Sequence, residues 1–156
     1  MSHQRFTLSL ADADHTARVA GRLGGMLTSG DTILLTGDVG AGKTHFARAL
    51  IQSLLTTHED VPSPTFTLVQ TYETLRGPVW HADLYRLGSS YEIEELGLVD
   101  AFETAICLVE WPDRLGLLRP ASALDLLLET TSDDTRRLTA SWEEGSWRAK
   151  IESLRE

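Results

Sequence analysis

Thr32-Ile33-Leu34-Leu35-Thr36, running straight into Gly37-Asp38-Val39-Gly40-Ala41-Gly42-Lys43-Thr44, is the stretch whose reading decides the fold. The first five residues are apolar or β-branched and read as a strand; the next eight match G-x-x-x-x-G-K-[ST] in full. Glycines at 37, 40 and 42 let the backbone curl through conformations that a side chain would block, so successive N–H groups converge on one anion. Lys43 is expected to extend along β- and γ-phosphates and the Thr44 hydroxyl to bind the Mg²⁺ that bridges them. A helix opening at Lys43 adds its positive dipole end. Phe46, Ala49, Leu50, Ser53 and Leu54 give that helix an apolar stripe.

Working outward, Arg5 to Leu10 alternates as a strand, and Asp12 or Asp14 caps a helix carrying Ala17, Ala20, Leu23, Gly24 and Leu27 on one face. Beyond the loop helix, Thr56 to Asp60 and Pro62-Ser63-Pro64 read as an exposed, movable connection. Thr67 to Thr74 and Pro78 to Asp83 form a hairpin through Leu75-Arg76-Gly77. Ser89 with Glu92 has capping-box spacing for a helix through Leu96, and Leu98 to Phe102 is a second short helix. Ala105 to Val109 reads as a buried strand, Ala123 to Leu128 and Arg137 to Ser141 as a second hairpin, and Ser146 to Leu154 as a terminal helix. The expected class is α/β: a single P-loop NTPase domain, residues 1–156, with a mixed parallel and antiparallel sheet flanked by helices.

Composition narrows the partners. With 14 Lys and Arg against 23 Asp and Glu the formal charge is −9, which argues against a broad nucleic-acid surface; no DNA is expected, and any RNA is expected to be held by a partner. No membrane span or secretory signal is visible, so a cytoplasmic location is the default. The five histidines have no metal-ligand spacing, so no zinc site is expected. Cys107, the one cysteine, reads as a small buried hydrophobe. The chain has no asparagine, hence no Asn-Lys-x-Asp guanine reader, and ATP is the expected nucleotide.

A nucleotide hydrolase needs a carboxylate near its metal, usually at the tip of a strand beside the phosphate-loop strand. Glu110 ends Ile106-Cys107-Leu108-Val109, and Asp83 ends Val79-Trp80-His81-Ala82; each reads either as that acid or as a solvated strand terminus. Ser63-Pro64-Thr65 reads as a switch segment or as a turn. Trp111-Pro112 could be a strand stop, and Tyr85 and Arg86 amphipathic residues at the edge of the core.

Taken in order, Gly-Asp-x-Gly-Ala-Gly-Lys-Thr, Val61-Pro62-Ser63-Pro64-Thr65-Phe66-Thr67-Leu68-Val69, His81-Ala82-Asp83-Leu84-Tyr85-Arg86-Leu87, Glu94-Glu95-Leu96-Gly97 and Val109-Glu110-Trp111-Pro112 resemble the TsaE family, which supplies the ATPase of bacterial tRNA threonylcarbamoyladenosine biosynthesis. The likeness runs from about Leu10 to Arg114. It implies that residues 37–45 contact nucleotide, that Lys43 and Thr44 bind phosphate and Mg²⁺, and that Thr65 belongs to a switch-like loop. It also implies that Asp83 and Glu110 surround metal and attacking water and that Trp111 neighbours the nucleotide. Among residues 37–45 the match departs at His45, where many relatives carry a second Thr. The implied activity is slow ATP hydrolysis that resets a TsaD–TsaB pair which binds substrate and tRNA. As candidate arginine fingers, Arg86 and Arg48 on the loop helix are not placed by their sequence, so weak activity in isolation is expected. A small-molecule kinase, or an ATP-gated interaction switch without turnover, shares the same loop.

Overall fold

The computed structural model describes residues 4–38, 40–55, 61, 69–85, 90–132, 134–143 and 147–154. Their strands form one seven-stranded sheet: β1 (Gln4–Leu10), β2 (Thr32–Thr36), β3 (Val69–Thr74), β4 (Gly77–Asp83), β5 (Ile106–Glu110), β6 (Leu124–Thr130) and β7 (Arg136–Trp142). The order across the sheet is β1-β7-β6-β2-β5-β4-β3. Strands β6, β2, β5 and β4 run parallel, while β3 at one edge pairs antiparallel with β4 and β7 antiparallel with both β6 and β1. The mixed sheet and both hairpins expected from the turn residues are present.

Around it lie α1 (Ala13–Gly24), α2 (Lys43–Leu54), α3 (Ser90–Glu95), α4 (Leu98–Thr104) and α5 (Trp147–Glu152), with a 3-10 segment, Pro112–Leu118, kinked at Gly116. Of the two candidate caps for α1, Asp12 is the one used: its carboxylate accepts from the His15 N–H at 2.8 Å.

Side-chain parity sorts the sheet into two faces. Ile33, Leu35, Val79, Ile106, Leu108, Leu124, Leu126 and Leu128 pack with α1, α2 and α5, whereas Leu34, Ala82, Cys107 and Val109 pack with α3, α4 and Leu115. The apolar stripe of α2 differs from the expected one. Ala47 and Ile51 are buried, Ala49 only half-buried and Ser53 exposed. The helix has two neighbours, the sheet and α1, so its buried arc is wider and rotated from the single stripe that spacing suggests. Gly24 makes the second contact close: a Cβ there would lie 3.2 Å from both Leu50 Cγ and Ser53 Oγ.

This arrangement sets up the site. Strand β2 lies between β5 and β6, so the loop after it emerges beside the C-terminal ends of its parallel neighbours, where open α/β sheets bind ligands. Leu35 of β2 is in register with Glu110 of β5, and Asp83 of β4 with the same Glu110.

Candidate functional site

The phosphate loop is open where an anion would sit. Gly40 and Gly42 have φ of 86° and 105°, and a Cβ on either would meet nothing within 4 Å. Gly37 is different: its φ is 143° and a Cβ would come 2.4 Å from the Leu128 carbonyl oxygen of β6, so the loop leaves the sheet pressed against a neighbouring strand. Gly42 then caps the start of α2 with no side-chain cap hydrogen bond, and the first N–H groups of a helix have no partner within it.

Lys43 is 6% exposed. Its ammonium donates to the carbonyls of Gly37 and Asp38, and it stands 4.3 Å from the centre of the Trp111 ring. Burial lowers its pKa, opposed by the charges of Glu110, Asp83 and Asp38. The lysine is therefore a confined cation whose hydrogen bonds among the described residues go to carbonyl oxygens rather than to a carboxylate.

Thr44, one residue on, donates its hydroxyl to Glu110 Oε1 at 2.9 Å. Glu110 shares the parity of Ile106 and Leu108, so its side chain leaves β5 on the face that α2 covers. It is 2% exposed, and its other oxygen, Oε2, lies 2.7 Å from His81 Nε2. Glu110 is thus no solvated strand terminus. His81 was not singled out by spacing; the available signal was its place two residues before Asp83 on one face of a strand beside the acid strand.

Asp83 is half-buried beside this group. Its Oδ1 accepts from the Tyr85 N–H at 3.0 Å, and its pKa is raised, first by burial and then by the Glu110 charge, against the lowering effects of that N–H bond, His81 and Lys43. Tyr85 is exposed and tilts against Trp111, ring centres 4.8 Å apart. Trp111 has φ 59°, ψ 54°, the one positive-φ residue other than glycine among those described, a conformation that costs free energy and clusters at functional sites. The turn aims its indole back over Lys43.

His45 faces the other way. Its Nε2 lies 3.0 Å from the Ala13 carbonyl, and it lines a cavity of about 290 Å³ with Asp12, Thr16, Gly40, Asp134 and Arg136. Arg136 reaches the Gly40 carbonyl at 3.5 Å. Arg48 instead donates to the Val61 carbonyl at 2.7 Å. Val39, Ser63, Pro64, Thr65 and Arg86 lie outside the described residues. Among the described residues no helix is long and apolar enough to cross a membrane.

These donors fit Mg·ATP. A hydroxyl and a carboxylate oxygen meet at one point, hard ligands of the kind Mg²⁺ takes while keeping several waters. The open glycine cradle and confined lysine adjoin them.

The family model described as threonylcarbamoyl adenosine biosynthesis protein TsaE matches residues 10–138. A Rickettsia felis protein described as tRNA threonylcarbamoyladenosine biosynthesis protein TsaE is 37% identical over 129 residues, covering 83% of this chain and 75% of its own. The Bacillus subtilis protein of the same description is 35% identical over 127 residues, 81% and 78% respectively. The crystal structure of Bacillus subtilis YdiB superposes with a TM-score of 0.81 at 26% identity, covering 99% of this chain and 96% of that one.

Proposed function

Because the chain belongs to the TsaE family, we propose that it serves tRNA threonylcarbamoyladenosine biosynthesis as a cytoplasmic ATP-binding protein and ATPase. The observation that carries the ATPase reading is the Thr44–Glu110 contact at the mouth of a glycine loop holding a buried lysine. Loop N–H groups and the α2 N-terminus bind the phosphate chain, and Lys43 exchanges its carbonyl partners for β- and γ-phosphate oxygens. Thr44 and Glu110 would hold Mg²⁺, which would supply charge neutralisation to the phosphates. Asp83 orients water near the γ-phosphate. The cavity beside His45 and Arg136, next to the loop, takes the nucleoside.

Catalysis of this kind is positioning and charge stabilisation. Among the described residues Arg48 is engaged with a backbone carbonyl and Arg136 stands on the cavity side of the loop, which supports turnover that is weak until a partner completes the site. The proposed partner is the TsaD–TsaB pair, reset by hydrolysis after threonylcarbamoyl transfer, with tRNA met only through that pair.

The test is calorimetric titration with Mg·ATP, followed by phosphate release with and without TsaD and TsaB. Micromolar binding and partner-stimulated release are expected. Transfer of phosphate to a metabolite without partners would show a kinase instead, and binding without release in the full assembly would show a switch. Absence of Mg·ATP binding by folded protein, alone or in the assembly, would overturn the reading.

A further inference from the structure

His81 is buried at 0% exposure on β4, a strand paired on both sides. Its Nε2 meets Glu110 Oε2 at 2.7 Å, and its Nδ1 is buried without a hydrogen-bond partner among the described residues. An imidazole placed this way is a poor core residue, because its unpartnered nitrogen loses water and gains nothing. Val79, two positions earlier on the same face, shows what the packing alone would accept. A proton on Nδ1 would be a buried donor with nothing to receive it. One proton on Nε2 gives a hydrogen bond to the carboxylate and leaves only a lone pair unmet.

The geometry also separates the two oxygens of Glu110. His81 stands opposite Leu108, so Glu110 is its diagonal neighbour two residues along β5. Oε2 is held on that side, and Oε1 alone faces the Thr44 hydroxyl. A carboxylate free to rotate would offer either oxygen or both. We propose that His81 is a positioning residue: by donating Nε2–H to Oε2 it locks Glu110 so that a single oxygen, Oε1, is presented with Thr44 to the Mg²⁺ of bound nucleotide. This rests on the nucleotide-binding reading above; one oxygen is what a cation that keeps most of its waters would need from the acid.

Two near-isosteric variants separate positioning from packing. In His81→Gln the amide N–H reaches about as far as Nε2, whereas in His81→Asn it reaches only about as far as Nδ1. In nucleotide-free wild-type protein, ¹⁵N spectra of the imidazole are expected to show Nε2 protonated and Nδ1 bare; the opposite tautomer would overturn the proposal. Binding of a fluorescent ATP analogue is then measured with Mg²⁺ and with EDTA. His81→Gln is expected to keep the Mg²⁺-dependent gain in affinity within about threefold of wild type. His81→Asn is expected to lose about tenfold or more of that gain, a loss of the size seen for groups that orient metal ligands, with EDTA affinity and urea midpoint matching those of His81→Gln.

An undiminished Mg²⁺ gain in His81→Asn overturns the proposal, as does equal loss in both variants together with lowered urea midpoints. Failure of the wild type itself to bind the analogue with Mg²⁺ is a different outcome. It removes the nucleotide reading and this proposal with it, while the ¹⁵N spectra still report whether the His81–Glu110 bond exists.

Discussion

Thr44, on the first turn of α2, and Glu110, at the last position of β5, are 66 positions apart in the chain and share a hydrogen bond of 2.9 Å. The bond joins the phosphate loop to the neighbouring strand. Replacing the acid should therefore affect turnover more than affinity. Glu110→Gln is expected to lower phosphate release in the full TsaD–TsaB assembly on the order of 100-fold, with Mg·ATP affinity lowered by about tenfold, as for loss of the oriented metal ligand. Release at the wild-type rate would remove Glu110 from the site.

Lys43 is confined within the loop at a cost to the fold. Burial lowers its pKa from the ordinary 10.5, so between the folded and unfolded values the unfolded chain binds more protons, and stability rises with pH through that window. Below both values the cost is fully present. Lys43→Ala should leave urea stability unchanged or raise it by about 0.5–2 kcal/mol, while reducing Mg·ATP affinity by roughly 100-fold or more. A clear loss of stability would mean that the lysine holds the loop together.

Gly37 tests the close passage of the loop past β6. An alanine there would face positive φ and place Cβ 2.4 Å from the Leu128 oxygen, both of which strain the backbone. Gly37→Ala should cost about 3 kcal/mol in urea unfolding. A change under about 0.5 kcal/mol would show that the loop moves freely at this position.

Asp83 gives a pH signature. Its carboxyl titrates above the ordinary 3.8, mainly through burial, with Glu110, His81 and Lys43 the charged or titratable groups that act on it. The folded state thus holds this proton more tightly than the unfolded chain. The stabilising contribution is full below pH 3.8 and is lost as pH rises through the folded value. Asp83→Asn should therefore gain stability relative to wild type as pH is raised from about 4 to 7. Parallel stability curves for the two proteins over that range would contradict this.

Cys107 sits at 0% exposure on β5, and burial pushes its thiol up to about 12. It should not react with a disulfide reagent at pH 8 in the folded protein and should react promptly in urea. Fast labelling without denaturant would show that β5 opens locally.

Much of the fold was readable because its signals are local. Positive-φ glycines in the loop, Asp12 capping α1, and the Arg76-Gly77 turn between β3 and β4 each act within a few residues. The acid ending an apolar run was readable for the same reason, since strand burial and strand ending are both properties of Ile106 to Glu110. The buried arc of α2 was misjudged because it depends on two neighbours whose positions no spacing within residues 43–54 encodes. Spacing does not show the His81 contact with Glu110, because that contact exists only once β4 lies beside β5 in one particular register.

From consecutive residues alone follow the phosphate loop, its strand and helix, the alternation of elements and two acids at strand ends. Bringing one of those acids against the loop took the folded sheet. Strand order put β5, not β4, next to β2, and parity turned Glu110 toward Thr44 while His81 closed it from behind. Backbone conformation is governed by neighbours in the chain, but the partner of a side chain is governed by neighbours in space, and only long-range pairing brings position 44 to position 110.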